Sequence, residues 1–543
     1  MGFRNFSCIL SLAFLLHVNA VPEIMPATVV VDATVTVAET DDNYVCATLD
    51  WWPHDKCDYN HCPWGYTSVV NLDVSHPLLA KAIQAFRPLR IRVGGSLQDQ
   101  VLYDVGNLGS PCHSFFKMKG GLFGFSKGCL HMDRWDALNN LFSKTGAMIT
   151  FGINALRGRH KIKNKVWGGP WNFTNAHDFI SYTITKGYKI EAWEFGNELS
   201  GTGVGASVSV DTYAKDVVKL KEIVDELYND SNKKPSIMAP GGFFEQGWYA
   251  KLLKVTGPGT LNTVSHHMYN LGAGVDHHLI EHILDPNYLS KVSKTFSSLA
   301  QTIQQNGPWA SAWVGESGGA FNSGGFHISD TFVNSFWYLD QLGMAAAYDT
   351  KVYCRQTLIG GHYSLLNTTT FVPNPDYYRH GALLWHRLMG KTVLGATTTA
   401  SPYLRYYAHC SKGRAGITLL LINLSNNTDF IVKVRSSSNS KLNLQQSSHG
   451  ASSFVNGLKR SISWVGSEAT DGSLFREEYH LSPKDGDLQS KTMLLNGIQL
   501  QLTEKGDIPK LEPVRSRLSS PLYISSLSIS FIVLPNFDSP ACA

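Results

Sequence analysis

Short apolar runs alternate with amphipathic stretches from residue 44 to residue 396. A continuous apolar run predicts a buried strand, whereas apolar residues three and four positions apart predict a helix with one buried face. The expected strands are Tyr44–Leu49, Leu89–Val93, Ala147–Ile153, Ile190–Phe195, Ser236–Ala239, Thr263–Met268, Ala310–Gly315 and Ala345–Tyr353. The expected helices are His76–Phe86, Met132–Lys144, Asp211–Asn229, Leu284–Gln305 and Asp330–Leu342. Candidate helix N-caps are Asp211 and Asp330, and candidate helix ends are Gly307 and Gly343.

The alternation of strands and helices decides the expected fold class. Eight strands with helices between them, over residues 44–396, predict an α/β protein built as a (β/α)8 TIM barrel. A doubly wound sheet is the alternative. No glycine-rich phosphate-binding turn opens a helix where that fold would need one, so the barrel is favoured.

The pattern changes after residue 396. Runs with strict apolar and polar alternation are separated by turns rich in Ser, Asn and Gly, and long helical patterns are absent. Residues 397–543 are therefore expected to form an antiparallel β-sandwich domain. The segment 21–43 contains the alternating run Thr28–Val37, which could add a strand to the same sandwich.

Composition limits the classes of function. The 543 residues, 43% hydrophobic and 17% charged, suit an ordered protein of two domains, and a net charge of +4 is too small to indicate a nucleic-acid partner. Residues 1–20 have the features of an export signal: Arg4, the apolar stretch Cys8–Leu16 and the small-residue site Val18–Ala20. No other run is long and apolar enough to span a bilayer.

Export agrees with the sequons and the cysteines. Five Asn-x-Ser/Thr sequons are glycosylation candidates: Asn172, Asn229, Asn367, Asn423 and Asn426. Apart from Cys8, an even number of cysteines remains, as a disulfide framework requires. Cys112 and Cys129 could close one loop, and Cys410 and Cys542 could join the ends of the second domain. Cys46, Cys57 and Cys62 cluster without the spacing of a zinc site, so no metal is expected.

Two glutamates lie at the ends of expected strands, where barrel enzymes have their catalytic residues. Trp193–Glu198 and Trp313–Gly318 are apolar, strand-like runs that end at or beside Glu198 and Glu316. In a barrel the carboxyl ends of the fourth and seventh strands open onto one face. Two carboxylates there suit glycosidic bond cleavage, which needs a proton donor and a nucleophile or base. The alternative is that both are ordinary surface glutamates at strand ends.

Longer motifs indicate which kind of glycosidase the chain resembles. An Asn-Glu pair after strand four with a second Glu after strand seven resembles the large barrel clan of retaining glycosidases. The motifs Trp193–Glu198, His266–Tyr269, Gly315–Ser317, Ser329–Phe332, Arg355–Gln356 and Gly360–Tyr363 resemble those of glycoside hydrolase family 79, the heparanase and endo-β-glucuronidase family. The resemblance covers nearly the whole chain after the export signal and is strongest to the plant heparanase-like proteins.

The resemblance implies roles for matching residues. Glu198 would be the proton donor, Glu316 the nucleophile, and Asn197 a partner of the sugar 2-hydroxyl. Tyr269 would donate to Glu316, with a core tyrosine as the alternative, and His267 would lie in the same surroundings.

A glucuronic acid substrate brings a second set of residues. In the family a tyrosine and a glycine turn bind the sugar carboxylate, which Tyr363 and Gly361 match; a merely flexible turn is the alternative. Asp50, Gly95 and Ser96 match further positions that touch this sugar. The family's glycine-rich stretch near the nucleophile becomes Asn322–Gly325 here, which leaves the amide contacts on that side open.

A basic run departs from the animal heparanases. Arg157–Lys165 follows the third expected strand and so should lie on the active-site face. It is either a solvated loop or a binding surface for an acidic polysaccharide. The excised linker of animal heparanase is absent, so a single chain is expected, acting as a monomer without cofactor.

The expected function is that of a retaining β-glucuronidase acting on extracellular glycans, with arabinogalactan-protein side chains as the favoured substrate. The alternatives are another activity of the same clan, an arabinofuranosidase or β-glucosidase, and a catalytically silent glycan-binding protein of the wall. A structural extracellular glycoprotein is a third. Secretion to the cell wall is expected, with a vacuolar or lysosome-like compartment and peripheral membrane association as alternatives.

Overall fold

The computed structural model describes residues 22–109, 111–229, 231–377, 382–437 and 475–543. The predicted export signal lies outside these residues. Within them the chain forms a parallel barrel and a large mixed sheet.

Eight parallel strands close into the barrel, which confirms the predicted fold class and excludes the doubly wound sheet. In chain order, the first to eighth barrel strands are Val45–Leu49, Arg90–Val93, Met148–Ile153, Ala192–Phe195, Ser236–Gly242, Thr263–Met268, Ser311–Ser317 and Thr350–Arg355. Nearly all their residues are buried, as expected for strands with a filled interior on one face and helices on the other. Short strands in the loops above the barrel are Val101–Tyr103, Gly128–Leu130, His160–Lys163, Val166–Gly168, Ser207–Val208, Gly272–Ala273 and Ala320–Phe321.

Helices surround the barrel and connect it to the sheet. They are Pro77–Gln84, Met132–Thr145, Thr174–Thr185, Val210–Leu227, Gln246–Thr256, Leu279–Leu284, Pro286–Ser290, Ser293–Asn306, Asn334–Ala347 and Ala382–Leu388. Short 3-10 turns are Gln98–Gln100, Leu122–Gly124, Lys484–Gly486 and Pro540–Cys542.

The helix Asn334–Ala347 corrects three local predictions. The expected eighth strand began at Ala345, but Ala345–Ala347 belong to this helix. Gly343 does not end the helix; it lies buried within it, where a Cβ would stand 2.2 Å from the Tyr407 ring. Asp330 is not the N-cap, since it lies outside the helix and pairs with Lys491. Two of these residues, Gly343 and Asp330, contact the second domain, and such distant contacts cannot be read from a local pattern.

Two further helix predictions also differ from the structure. The N-cap of the helix Val210–Leu227 is Ser209, whose hydroxyl accepts from Thr212 N–H, rather than Asp211. The predicted helix Leu284–Gln305 is divided into separate helices because Pro286 starts a new one, with Asp285 as its cap.

The second domain is one mixed sheet. Its strands are Glu23–Glu39, Met389–Thr398, Leu404–Ser411, Ile417–Asn423, Thr428–Ser436, Phe475–Pro483, Met493–Leu495, Ile498–Gln499, Val514–Arg517, Leu522–Ile524 and Ser528–Leu534. Pairing is antiparallel except where Glu23–Glu39 runs parallel to Thr428–Ser436. Apolar side chains from strands in both halves of the sheet form one core. The sheet already includes Met389–Thr398, upstream of the expected boundary at 397.

Asp340 joins the two domains. It is fully buried in the helix Asn334–Ala347 and accepts from Arg405 Nε at 2.7 Å and from the Tyr407 hydroxyl at 2.6 Å. A buried carboxylate with a guanidinium partner and an added hydroxyl donor is satisfied, so this contact fixes the orientation of the sheet against the barrel.

Disulfides close several loops of the described chain. Cys112–Cys129 and Cys410–Cys542 are bonded, as predicted. The remaining pairs are Cys46–Cys354, between the first and eighth barrel strands, and Cys57–Cys62 in the loop after the first strand. In the described part of the chain, no helix has the length and hydropathy needed to cross a membrane.

Candidate active site

Glu198 and Glu316 meet at the carboxyl end of the barrel. Glu198 follows the fourth strand, Glu316 lies near the end of the seventh, and both are buried. One carboxylate oxygen of Glu198 lies within 4.8 Å of one of Glu316. The barrel therefore brings together two acids that are far apart in the sequence, as the paired motifs predict.

Two donors hold the Glu316 carboxylate. Arg92 Nη1 donates to Oε2 at 2.9 Å, and the Tyr269 hydroxyl donates to Oε1 at 2.7 Å. The bond from the Arg92 guanidinium is charge-assisted and therefore stronger than a neutral one. Both oxygens are thus fixed, and the carboxylate is oriented before any substrate arrives.

Arg92 organises the site from the end of the second strand. Its side chain is fully buried, and it donates through Nε to Glu194 Oε2 at 2.6 Å and through Nη2 to Asn197 Oδ1 at 2.8 Å. Glu194 in turn accepts from Ser265 Oγ at 3.0 Å. A buried guanidinium needs carboxylate partners to offset its desolvation, and Glu194 and Glu316 supply them.

Sequence reasoning missed Arg92 and Glu194. A signal was present, because both charged residues interrupt apolar strand-like runs, Leu89–Val93 and Ile190–Phe195. A charged side chain buried in a barrel strand has to be paired with an opposite charge. Each of these two residues therefore indicated a buried, oppositely charged partner. The identity of that partner depends on the closed barrel.

The backbone around Glu198 is tightly held. Asn197 N–H donates to Asp99 Oδ2 at 2.8 Å, and Glu198 N–H donates to the Gly241 carbonyl at 2.7 Å. Glu198 has a φ of 54°, in the left-handed region that non-glycine residues seldom occupy. Such a conformation persists where neighbouring contacts determine it, often at functional sites.

Burial sets the protonation of Glu198 and its neighbour His267. Desolvation raises the pKa of Glu198 to about 7, although the charge of Arg92 acts in the opposite direction. Desolvation lowers the pKa of His267 to about 4, so this ring is neutral at neutral pH. His267 Nδ1 lies 3.0 Å from Glu198 Oε1 and orients that carboxyl group.

The same three side chains could be read as metal ligands, because atoms of Glu198, His267 and Glu316 converge within 4.8 Å. The Arg92 guanidinium, 2.9 Å from Glu316, opposes a cation at that carboxylate. The donors therefore favour a pair of carboxyl groups acting on a substrate.

Tyr363 lies beside this centre. A Cβ at Gly318 would stand 2.7 Å from the Tyr363 ring and 2.8 Å from the Tyr269 ring, so a glycine there lets both rings approach. The predicted partner Gly361 donates its N–H to the Pro63 carbonyl at 3.2 Å. That amide is thus engaged by the loop after the first strand, and Tyr363 is the side chain of the turn that borders the site.

Asp50 and Gly95 border the site from the first and second strands. Asp50 accepts from Gln356 Nε2 at 2.8 Å, and burial, with the charge of Glu316 added, raises its pKa to about 7. Gly95 has a φ of 143°, and a Cβ there would lie 2.4 Å from Asp50 Oδ1, so no larger residue fits. Ser96 follows, partly buried.

The sequons differ in exposure. Asn172, Asn229 and Asn426 are exposed and Asn367 is partly exposed. Asn423 is fully buried, and its Nδ2 donates to the Thr428 and Ser525 carbonyls. The nitrogen that would carry a glycan is enclosed in the fold, so the prediction of a glycosylation site at Asn423 is wrong.

The basic run forms a hairpin at the mouth of the barrel. The strands His160–Lys163 and Val166–Gly168 pair with each other, and the second pairs with Ser207–Val208 in the loop that follows Glu198. Arg159 is buried and paired with Asp216, whereas residues 160–165 are exposed.

The barrel with two adjacent carboxyl groups at its mouth defines a glycoside hydrolase. The sequence profile described as "Glycosyl hydrolase family 79, N-terminal domain" matches residues 26–343, and the chain belongs to this family. It is 61% identical to heparanase-like protein 1 of Arabidopsis thaliana over 100% of both chains. It is 39% identical to baicalin-beta-D-glucuronidase of Scutellaria baicalensis, covering 98% of this chain and 97% of that protein.

Solved structures share the fold. A 4-O-alpha-L-rhamnosyl-beta-D-glucuronidase from Fusarium oxysporum superposes with a TM-score of 0.61 at 14% identity, covering 93% of this chain and 100% of the other. A family 51 arabinofuranosidase from Xanthomonas axonopodis pv. citri gives a TM-score of 0.61 at 13% identity, covering 93% and 99%. The architecture is therefore that of barrel glycosidases.

Proposed function

We propose that this family 79 glycoside hydrolase is a retaining β-glucuronidase that removes glucuronic acid from extracellular glycans. The observation that carries the proposal is that one carboxylate oxygen of Glu198 lies within 4.8 Å of one of Glu316. Retaining enzymes place their carboxyl groups about 5–5.5 Å apart, whereas inverting enzymes need about 6.5–9.5 Å to admit a water molecule.

The two acids have different surroundings, which supports different roles. Glu316 faces the Arg92 and Tyr269 donors and serves as the ionised nucleophile. Glu198, with a pKa raised to about 7, carries the proton at mildly acidic pH. Environments that separate two titratable groups in this way assign the acid and the base.

The reaction proceeds in two displacements. Glu316 attacks the anomeric carbon while Glu198 gives its proton to the glycosidic oxygen, which leaves with the rest of the glycan as an alcohol. A glycosyl ester on Glu316 remains. Glu198, now ionised, takes a proton from water as the water oxygen attacks the same carbon, and Glu316 departs as carboxylate. Two inversions leave the anomeric configuration unchanged.

Asn197 holds the sugar 2-hydroxyl, a contact that tightens as the oxocarbenium-like state forms. Its Oδ1 accepts from Arg92 Nη2, so the amide nitrogen is the atom that would donate to the substrate. Arg92 thereby ties the position of Asn197 to that of Glu316.

Tyr363 and Asp50 support glucuronic acid as the sugar. Burial holds the pKa of the Tyr363 hydroxyl well above its usual range, so it stays protonated and can donate to a carboxylate. Asp50, with a pKa near 7, can accept from a sugar hydroxyl or remain neutral beside the acid. The named activity of the Scutellaria relative, a glucuronidase, agrees with this sugar.

Arabinogalactan-protein side chains are the proposed natural substrate, and the wall or vacuole the proposed place of action. The four disulfides of the described residues and exposed sequons such as Asn172 suit an exported protein. The exposed lysines Lys161, Lys163 and Lys165 would attract the acidic glycan. They lie beside the loop after Glu198, on the leaving-group side, because the proton donor faces the leaving oxygen.

The test compares an aryl β-D-glucuronide with the matching β-D-glucoside, for the wild type, Glu198→Gln and Glu316→Gln. NMR follows the anomer that is released first. Turnover of the glucuronide alone, with the β-anomer first and loss of activity in both variants, is the expected result. Turnover of the glucoside instead would indicate another clan activity, and no turnover by folded protein would indicate a glycan-binding role.

A further inference from the structure

The mouth of the barrel has two unlike sides. Glu198 follows the fourth strand, and the eighth strand lies opposite it in the ring of eight. The loops after the first, seventh and eighth strands surround that opposite side. Their side chains are joined to one another into a continuous wall.

Two hydrogen bonds of this wall come from residues that depart from the glycine-rich family pattern. Asn322 Nδ2 donates to the Tyr59 hydroxyl at 2.9 Å, and Ser323 Oγ donates to Asp58 Oδ2 at 2.6 Å. Both bonds cross from the loop after the seventh strand to the loop after the first. A glycine at either position would have no side chain with which to form them.

Asn322 and Ser323 form these bonds at a backbone cost. Their φ angles are 58° and 70°, in the left-handed region that favours glycine. Glycine would adopt this left-handed backbone more easily. The presence of Asn and Ser there instead indicates that their side-chain contacts across the loops are functionally important.

The loop after the first strand, which accepts both bonds, is itself cross-linked. A disulfide joins Cys57 to Cys62, and Lys56 Nζ lies 2.6 Å from Asp58 Oδ1. At the rim, His61 stacks on Phe326 with ring centroids 4.5 Å apart. The wall is therefore held by covalent, ionic and aromatic contacts together.

The wall packs against Tyr363, the side chain that borders the two acids. Trp64 Nε1 donates to Ser323 Oγ at 2.9 Å, and the Trp64 ring meets the edge of the Tyr363 ring at 6.2 Å. His362 N–H donates to the Ser323 carbonyl at 2.7 Å. Ser323 therefore contacts the loop after the first strand through its side chain and the turn that carries Tyr363 through its carbonyl.

We propose that this wall closes the non-reducing end of the site, so that the enzyme removes only terminal glucuronic acid residues. The inference rests on the proposed function. The proton donor Glu198 faces the leaving group, so the far end of the bound sugar points to the opposite side of the mouth, where the wall stands. An internal residue carries a further sugar there, and that sugar would collide with the wall.

The test uses two nitrophenyl β-D-glucuronides, one uncapped and one with a further hexose on O4. Wild-type kcat/KM is expected to be at least 100-fold lower for the capped substrate. A glucuronan labelled at its reducing end should release the monosaccharide while the labelled chain shortens slowly. Capped turnover within about threefold of uncapped turnover, or early release of oligosaccharides, would overturn the inference. No turnover of the uncapped substrate would instead overturn the proposed function.

A wall-opening variant, Tyr59→Ala with Asn322→Gly, sharpens the test. The double variant removes the hydrogen bond between Asn322 and Tyr59, and glycine readily adopts the left-handed backbone at position 322. Ser323 and Trp64 are left unchanged. The capped-to-uncapped ratio of kcat/KM is expected to rise at least tenfold. Asn496→Gly is the matched control, since Asn496 has a φ of 51° in the second domain. A rise in the control, or none in the wall variant, would contradict the assignment.

Discussion

Arg92 Nη1 lies 2.9 Å from Glu316 Oε2, although the two residues are 224 positions apart. The same guanidinium also donates to Glu194 and Asn197. One buried side chain thus positions both the proposed nucleophile and the proposed partner of the 2-hydroxyl. The site behaves as a connected polar network, in which the loss of one member affects the others.

Arg92→Lys tests this network. A lysine keeps the charge but lacks the planar fork, so it cannot hold Glu194, Glu316 and Asn197 together. We expect kcat to fall about 10²–10³-fold, the range found for losing a preorganised donor. Steady-state kinetics below the unfolding temperature measure it. Arg90→Lys, on the same strand and paired with Asp41, is the control, and equal losses in both variants would contradict the role.

The pH dependence follows from Glu198. Its pKa is raised to about 7, and the first displacement needs the protonated form. kcat/KM should therefore be constant at lower pH on this limb and fall about tenfold per unit above pH 7. A dinitrophenyl glucuronide, whose leaving group needs no proton, should show a weaker limb. If both substrates share the same limb, another group causes it, such as Asp50 or Asp99, whose pKa values are also near 7.

Tyr269→Phe removes the hydroxyl that donates to Glu316 Oε1 at 2.7 Å and leaves the ring in place. The nucleophile then loses one of its two donors, so we expect kcat to fall about 10²-fold or more with little change in the unfolding temperature. Tyr249→Phe, whose hydroxyl donates to the Gly242 carbonyl, is the control. A core tyrosine, the alternative for Tyr269, would instead lower stability and leave kcat nearly unchanged.

If the basic hairpin binds acidic glycans, its lysines should raise kcat/KM for those substrates alone, and the effect should depend on salt. Replacing Lys161, Lys163 and Lys165 by Gln should lower kcat/KM for an acidic glycan about tenfold at low ionic strength. The difference should disappear at high salt, and the rate with an aryl glucuronide should stay the same.

The matched control for the hairpin replaces Lys144, Lys189 and Lys254, exposed lysines around the barrel outside the hairpin, by Gln. It removes the same charge. If it lowers glycan turnover equally, net charge rather than the hairpin is responsible.

Packing between the domains predicts a stability effect. Gly343→Ala would place a methyl group 2.2 Å from the Tyr407 ring, so we expect a loss of about 1–3 kcal/mol in unfolding free energy. Gly247→Ala, a helical position with nothing within 4 Å, should be neutral or stabilising. Thermal denaturation compares the two variants, and equal melting temperatures would show that Tyr407 moves aside without cost.

Several features could be predicted because they follow from local pattern. Buried parallel strands are short apolar runs, so the alternation of such runs with amphipathic stretches predicted the barrel. Glu198 and Glu316 were visible because each ends such a run, and a barrel presents strand ends on one face. Cys112 and Cys129 were close enough in sequence to suggest one loop, which the structure contains.

Other features depended on distant contacts. Gly343 looked like a helix end because glycine often follows the last helical residue, but it lies inside the helix, packed against Tyr407. Asn423 matched a sequon, yet it is fully buried and its Nδ2 donates to the Ser525 carbonyl, in the turn before the strand Ser528–Leu534. Neither partner lies within the window in which a local pattern can be read.

The sequence by itself determined the barrel, the second β domain, the two acids and the family, since these rest on periodicity and on short motifs. Only the tertiary structure decided that Arg92 connects Glu194, Asn197 and Glu316, and that Asn322 reaches Tyr59, 263 residues away, to close one side of the mouth. The reason is physical: a side chain's residue type can be read locally, but the partner that satisfies its charge or hydrogen bond is set by which loops the closed barrel brings together.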